Sequence, residues 1–229
     1  MAIRFSLANL LFMFIIGFSI SDLTPTPSPN LRWPKTFCQT VKCSKDIQPL
    51  PTEFVMHGLW PANRVISDPR GCLDKTNQKT IDIGNFPLDL KEELDKVWPD
   101  LLVYEKSRLI NIAFWDEQWK AHGSCSNMDI IDFFKLSLSI YKKIGSLKEV
   151  LGKEGYSPGP QSHVEKQKIV DIIKKHTDGK ASPRIKCEKH DGKTYLHEIQ
   201  VCVDKTENHN YTNCRTPDLI DCEKDVYFP

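Results

Sequence analysis

The chain has no surplus of charge of either sign, no long apolar run outside its first twenty residues and no C-x-x-C pair. Each absence excludes something. With 31 Lys plus Arg against 30 Asp plus Glu in 229 residues, it lacks the basic excess that holds long polyanions by charge alone. A site gripping one or two nucleotides stays open. No stretch reaches the ~18 apolar residues of a membrane span, so no membrane anchor is expected. The cysteine spacings do not repeat, which argues against zinc. Neither a metal nor a cofactor is expected, and there is no internal repeat.

What is present starts with an export signal. Arg4 precedes an apolar run from Leu10 to Phe18, and Ser19 and Ser21 follow, so residues 1–21 read as a secretory signal peptide. Residues 22–229 then form one domain in a secreted, extracellular protein. Removing Arg4 takes 31 basic residues to 30, against 30 acidic ones. The eight cysteines (Cys38, Cys43, Cys72, Cys125, Cys187, Cys202, Cys214 and Cys222) suit disulfides formed in an oxidising compartment. Their spacing alone leaves about a hundred pairings open. Asn210-Tyr211-Thr212 is the one glycan acceptor triplet and predicts a surface loop.

Residues 22–30 are Pro-rich and predict an extended or disordered lead-in. Leu31–Phe37 and Glu53–His57 read as strands, and 62–85 as an irregular polar segment. The middle is helical. Leu90, Leu94, Val97 and Trp98 share one face, closed by Pro99. A second helix runs from Tyr104 to about Trp119, and a third, capped by Asn127, runs to Tyr141. A fourth covers about Val164 to Lys175. Alternation over Tyr195–Val203 and the apolar Val226–Phe228 return the chain to strands. The expected fold is α+β: a mainly antiparallel sheet with several packed helices, in a disulfide-stapled single domain.

Two stretches carry chemistry: Phe54-Val55-Met56-His57-Gly58-Leu59-Trp60-Pro61, and Phe114-Trp115-Asp116-Glu117-Gln118-Trp119-Lys120-Ala121-His122-Gly123-Ser124-Cys125. Each sets a His-Gly pair among aromatics. Imidazole is the side chain that can give or take a proton near neutrality, so a pair of them suits metal-free cleavage of a phosphodiester. RNA brings its own nucleophile: one His takes the 2′-hydroxyl proton and the other supplies a proton to the departing 5′-oxygen. DNA has no such hydroxyl. Trp60, Phe114 and Trp119 offer faces for base or sugar packing, although at least one of Trp115 and Trp119 belongs to a core stripe. The five other histidines read as structural.

These two blocks closely resemble the two active-site signatures of the T-two family of secreted ribonucleases. Leu31-Arg32-Trp33-Pro34-Lys35-Thr36-Phe37-Cys38 is similar to that family's opening strand. The cysteine pattern and the Val226-Tyr227-Phe228-Pro229 ending resemble its plant self-incompatibility branch, the S-locus ribonucleases. The resemblance implies bridges Cys38–Cys43, Cys72–Cys125, Cys187–Cys222 and Cys202–Cys214, with His57 as general acid and His122 as general base. It also implies single-stranded RNA as substrate, a monomer, and pollen F-box proteins of an SCF ubiquitin ligase as readers, with 62–85 as the variable surface. Two positions depart from the second signature. Gln118 stands where relatives carry Glu and can still donate to a phosphate oxygen; Ala121 replaces a Lys, removing a cation. Lys120, one position early, points elsewhere by about 100° on an α-helix. Arg32 stands where relatives often carry a Gln that touches RNA. Two other expectations compete: a general secreted ribonuclease for phosphate recovery or defence, and a catalytically weak storage or binding protein on the same fold.

Overall fold

A computed structural model describes residues 27–43, 49–61, 72, 79–102, 111–214 and 222–229. The expected signal peptide, the first residues of the Pro-rich lead-in, most of 62–85 and the first half of the expected second helix lie outside them.

The sheet is built around β5 (Lys193–Gln200). Along one edge it pairs antiparallel with β4 (Arg184–His190). Its other edge meets β1 (Pro27–Arg32) antiparallel at Asn30–Arg32, and touches β8 (Asp225–Tyr227) in parallel at Tyr195. β1 carries β2 (Val55–Pro61) on its far side, and β8 carries β3 (His163–Glu165), both antiparallel. A two-strand ladder of β6 (Cys202–Val203) and β7 (Tyr211–Thr212) stands apart. The fold is therefore α+β with a mainly antiparallel sheet, and its four bridges are the pairs that the resemblance implies.

Two irregularities in the sheet fall on histidines. On β2, Asn30 opposes Gly58 and Leu31 opposes Met56, so His57 is an extra residue without a partner on β1. On β5, Lys186 opposes Glu198 and Cys187 opposes Leu196, so His197 is the extra residue. Such bulges re-aim side chains that regular alternation would send to the other face.

The helices are α1 (Pro34–Thr40), α2 (Leu88–Val97), α3 (Ile112–Gln118), α4 (Ile130–Ile144), α5 (Leu147–Lys153) and α6 (Lys166–His176). In α4, Phe133, Phe134, Ser137, Leu138, Ile140 and Ile144 are buried at three- and four-residue spacings. It stops at Gly145, whose φ of 72° and N–H bond to the Tyr141 carbonyl close the last turn. Phe133 and Phe134 meet Trp98, Trp115, Trp119 and Phe86 in one aromatic core against the sheet.

Three local expectations are corrected. The strand expected over Leu31–Phe37 ends at Arg32, because Pro34 starts α1; a proline fits a first turn, where its missing N–H has no partner to lose. The lead-in is extended from Pro27 on, in β1, the first of its two expected readings. Asn127 does not cap α4: it takes a left-handed φ of 60°, and Asp129 is the residue that enters the helix. The fourth helix starts at Lys166, since 163–165 pair as β3.

Candidate active site

His57 is fixed from below by a relay of indoles. Trp115 Nε1 donates to the Trp98 carbonyl at 2.8 Å, and Trp98 Nε1 donates to the His57 carbonyl at 3.0 Å. Both tryptophans are fully buried. The bulged backbone at His57 is thereby tied to the aromatic core.

His122 arrives by a different device. After α3 the chain widens into a π-turn over Trp119–Gly123, closed by the Ser124 N–H on the Trp119 carbonyl at 2.8 Å. Such turns are rare and concentrate at functional sites. Here the widened turn is locked from outside: Cys72 N–H donates to the Ala121 carbonyl at 2.7 Å, and Cys72 is bridged to Cys125. The residues after the second His are thus stitched to the segment that follows the first.

Trp60 touches both imidazoles. Its ring centroid lies 4.9 Å from that of His57, edge-on, and 4.9 Å from that of His122, stacked at 30°. The two rings are therefore no further apart than twice that distance, which suits two groups flanking one phosphate. Gln118 holds the indole by accepting from Trp60 Nε1 at 3.3 Å. Gly58 leaves the space for this contact: a Cβ there would stand 2.3 Å from Gln118 Oε1 and 2.4 Å from Trp60 Nε1. Phe114 covers the other side of His57, nearly parallel at 6.5 Å.

The two histidines have different neighbours. His57 Nδ1 lies 2.9 Å from Glu198 Oε1, an ion-pair distance without hydrogen-bond alignment. Glu198, 2 % exposed on β5, also takes Arg32 Nε at 3.0 Å and stands 3.8 Å from Lys186 Nζ. Arg32, Glu198 and Lys186 are register partners on three adjacent strands. His57, Arg32 and Lys186 hold the Glu198 carboxyl well below the usual carboxylate range, against the opposing effect of burial. Among the described residues no carboxylate pairs with His122, and its buried Nδ1 has no hydrogen-bond partner. Burial, helped by the nearby His57, pushes His122 down to about 4. Burial also lowers His57, and Glu198 opposes that fall. Two titratable groups whose surroundings differ in this way suit opposite proton-transfer roles.

The structure thus brings His57, His122, Trp60, Phe114 and Gln118 together. Two expected RNA contacts are corrected. Trp119 is 4 % exposed, packs on Phe133 and donates to the Lys79 carbonyl, so it has no face for a base. Arg32 is neither a solvent-facing strand residue nor open toward substrate; its guanidinium lies 4.0 Å over the Phe37 ring and its Nε is committed to Glu198. Lys120 pairs with Asp116 at 2.5 Å and does not stand in for the missing Lys at 121. Sequence reading missed Glu198 and Trp98. The signal for Glu198 was a lone carboxylate inside Leu196–Val203, a run with apolar residues on both faces, where an ionised group needs partners. Among the described residues no cluster of His, Cys, Asp or Glu can hold a metal, and no helix is long and apolar enough to cross a membrane.

Comparison with known proteins gives the same direction. A family model described as Ribonuclease T2 family matches residues 29–214. Ribonuclease S-7 of Nicotiana alata is 33% identical over 189 residues, covering 82% of this chain and 80% of the relative. A ribonuclease-like storage protein of Panax ginseng is 31% identical over 195 residues, covering 84% and 76%. Among solved structures, the gametophytic self-incompatibility associated SF11-RNase of Nicotiana alata superposes with a TM-score of 0.72 at 28% identity, covering 90% of this chain and 98% of that one.

Proposed function

The chain belongs to the ribonuclease T2 family and is an endoribonuclease, and we propose that it cleaves single-stranded RNA by transphosphorylation between His57 and His122. His122 presents Nε2, its Nδ1 being buried, and takes the proton of the 2′-hydroxyl. The O2′–P bond forms and the P–O5′ bond breaks. His57 delivers its proton to O5′, leaving a 2′,3′-cyclic phosphate. No metal or cofactor takes part. The observation that carries this reading is the single indole of Trp60 in contact with both imidazoles. Gln118 keeps that indole in place, with its amide N–H₂ as the donor to a phosphate oxygen. Phe114 and Trp60 supply the aromatic faces near the scissile bond.

The test is RNA cleavage by the purified protein beside His57→Ala and His122→Ala. Removing a general acid or base is expected to lower kcat by about 10²–10⁴-fold. Cleavage that survives both substitutions would overturn the reading.

The finer biological reading is a secreted, monomeric S-locus ribonuclease acting in gametophytic self-incompatibility and read by pollen F-box proteins. It is supported by the likeness to the Nicotiana alata S-7 protein and by a count of eight cysteines. Asn210, exposed in the loop between β6 and β7, is its glycan acceptor. Transcript confined to the style is the expected result; induction in leaf or root by phosphate starvation would favour the general secreted ribonuclease instead. A storage role has one specific support, the ginseng relative; it predicts a folded protein without His-dependent cleavage.

A further inference from the structure

We infer that Glu198 is a positioning residue for His57: its carboxylate claims the Nδ1 side of the ring and so makes Nε2 the atom that hands a proton to the leaving oxygen. The inference rests on the transphosphorylation reading above and specifies how its acid is oriented.

The geometry points one way. His57 Nδ1 is closed to solvent and 2.9 Å from Glu198 Oε1, while the ring as a whole keeps 18% of its side-chain surface. The nitrogen left for chemistry is Nε2. The backbone arranges this meeting with some effort. His57 and His197 are both bulged residues, with ring nitrogens 2.9 and 3.9 Å from Glu198 Oε1, and β1 lies between the two strands that carry them. Without the bulge on β2, alternation would set His57 differently relative to Glu198. The Trp98 bond to the His57 carbonyl then holds the bulge.

Charge gives the carboxylate its second effect. The groups facing His57 are Glu198 and His197 from β5, Arg32 from β1, Lys186 from β4 and His122 from the π-turn. Arg32 and Lys186 disfavour a proton on His57, and among the described residues Glu198 favours one. Burial keeps His197 neutral, with its pKa near 4. Neutralising Glu198 therefore removes the group that opposes the two cations, and the cations remain.

The first test needs no variant. Nitrogen-15 chemical shifts of the wild-type histidines are expected to show neutral His57 with its proton on Nδ1 and Nε2 bare. A neutral ring protonated on Nε2 would overturn the inference, and this readout is independent of whether RNA is cleaved. The second test uses Glu198→Gln, with Tm as the folding control. The alkaline limb of kcat/KM is expected to move to lower pH by about one to two units, the effect of one opposite charge at ion-pair distance. The acid limb, set by His122, stays, and kcat falls more than KM rises. Glu198→Asp returns the limb toward its wild-type position, and Arg32→Gln moves it the opposite way, to higher pH. Should the Gln variant fail to fold, the Asp variant carries the test with a smaller shift of the same sign. Folded variants with both limbs unmoved would overturn the inference while leaving the ribonuclease reading intact; loss of His-dependent cleavage in wild type would end that reading and leave the tautomer result standing.

Discussion

Gly58→Ala tests whether Trp60 sets the spacing of the two imidazoles. The new methyl would stand 2.3 Å from Gln118 Oε1, 2.4 Å from Trp60 Nε1 and 2.9 Å from Trp60 Cδ1, where ordinary contact begins at 3.4 Å. Something must move by about an ångström. The Gln118 amide is buried and the indole is rigid, so the displacement passes to Trp60 and breaks its bond to Gln118. Overpacking a filled site costs about 1–3 kcal/mol, and the lost hydrogen bond about 1 kcal/mol. At ~2–4 °C per kcal/mol for a domain of this size, Tm should fall by about 4–16 °C. Because the indole touches both catalytic rings, an ångström of displacement is expected to lower kcat by about 10²-fold. Steady-state kinetics on a dinucleoside monophosphate, measured well below the lowered Tm, separates the two effects. Gly159→Ala, whose Cβ would meet nothing closer than 3.8 Å, should be neutral in both. If Gly58→Ala loses stability yet keeps kcat within about threefold, the indole does not determine the ring spacing, and the argument from Trp60 fails.

Three more outcomes follow from the site. The kcat/KM profile should be bell-shaped and centred on the acid side: activity rises as His122 loses its proton near pH 4, and falls as His57 loses its own below the ordinary 6.5, the two limbs belonging to the coupled pair; an optimum above pH 8 would contradict it. Ala121→Lys should raise kcat on dinucleotides by restoring a cation next to His122, whereas Lys120→Ala, which removes a cation already paired with Asp116, should change kcat little; no gain in the first variant rejects the missing-cation account. Replacing Cys72 and Cys125 by Ala opens a 53-residue loop worth about 4 kcal/mol on the chain-entropy estimate, against about 2 for the 5-residue Cys38–Cys43 loop, so the two double variants should differ in Tm by several degrees and only the first should lower kcat.

Much of this site could be read from residue order, because its chemistry sits in two short blocks. His57, Trp60, Phe114, Gln118 and His122 come from those blocks and meet in space. What stayed hidden arose from contacts across the sheet. Glu198 lies 141 positions from His57 in sequence, and nothing local reveals that two bulges turn both toward one point. Trp119 was misassigned because an aromatic at helical spacing serves equally as a core residue or a platform; only its burial on Phe133 decides. The π-turn was also invisible, since it depends on the Cys72 N–H and the Cys72–Cys125 bridge rather than on propensity. Elsewhere a usable signal was passed over: Ser146 and Glu149 have capping-box spacing, and Ser146 Oγ does accept from the Glu149 N–H at 3.0 Å at the start of α5.

The arrangement around Glu198 bears on the choice between an enzyme and an inert protein with this fold. A buried ion cluster is weak support for stability: the desolvation of Glu198 and Arg32 offsets most of their attraction, and well-packed apolar replacements are commonly neutral or stabilising. His122 adds a further cost, a buried ring nitrogen without a partner among the described residues. A chain kept only for its mass or its fold has no physical need of either feature. Both become intelligible together if one ring must hold a proton until the 5′-oxygen departs and the other must be bare when the 2′-hydroxyl arrives. The first is served by a carboxylate close by, and Glu198 stands 2.9 Å from His57; the second is served by a ring that burial keeps unprotonated, and among the described residues His122 Nδ1 has no partner.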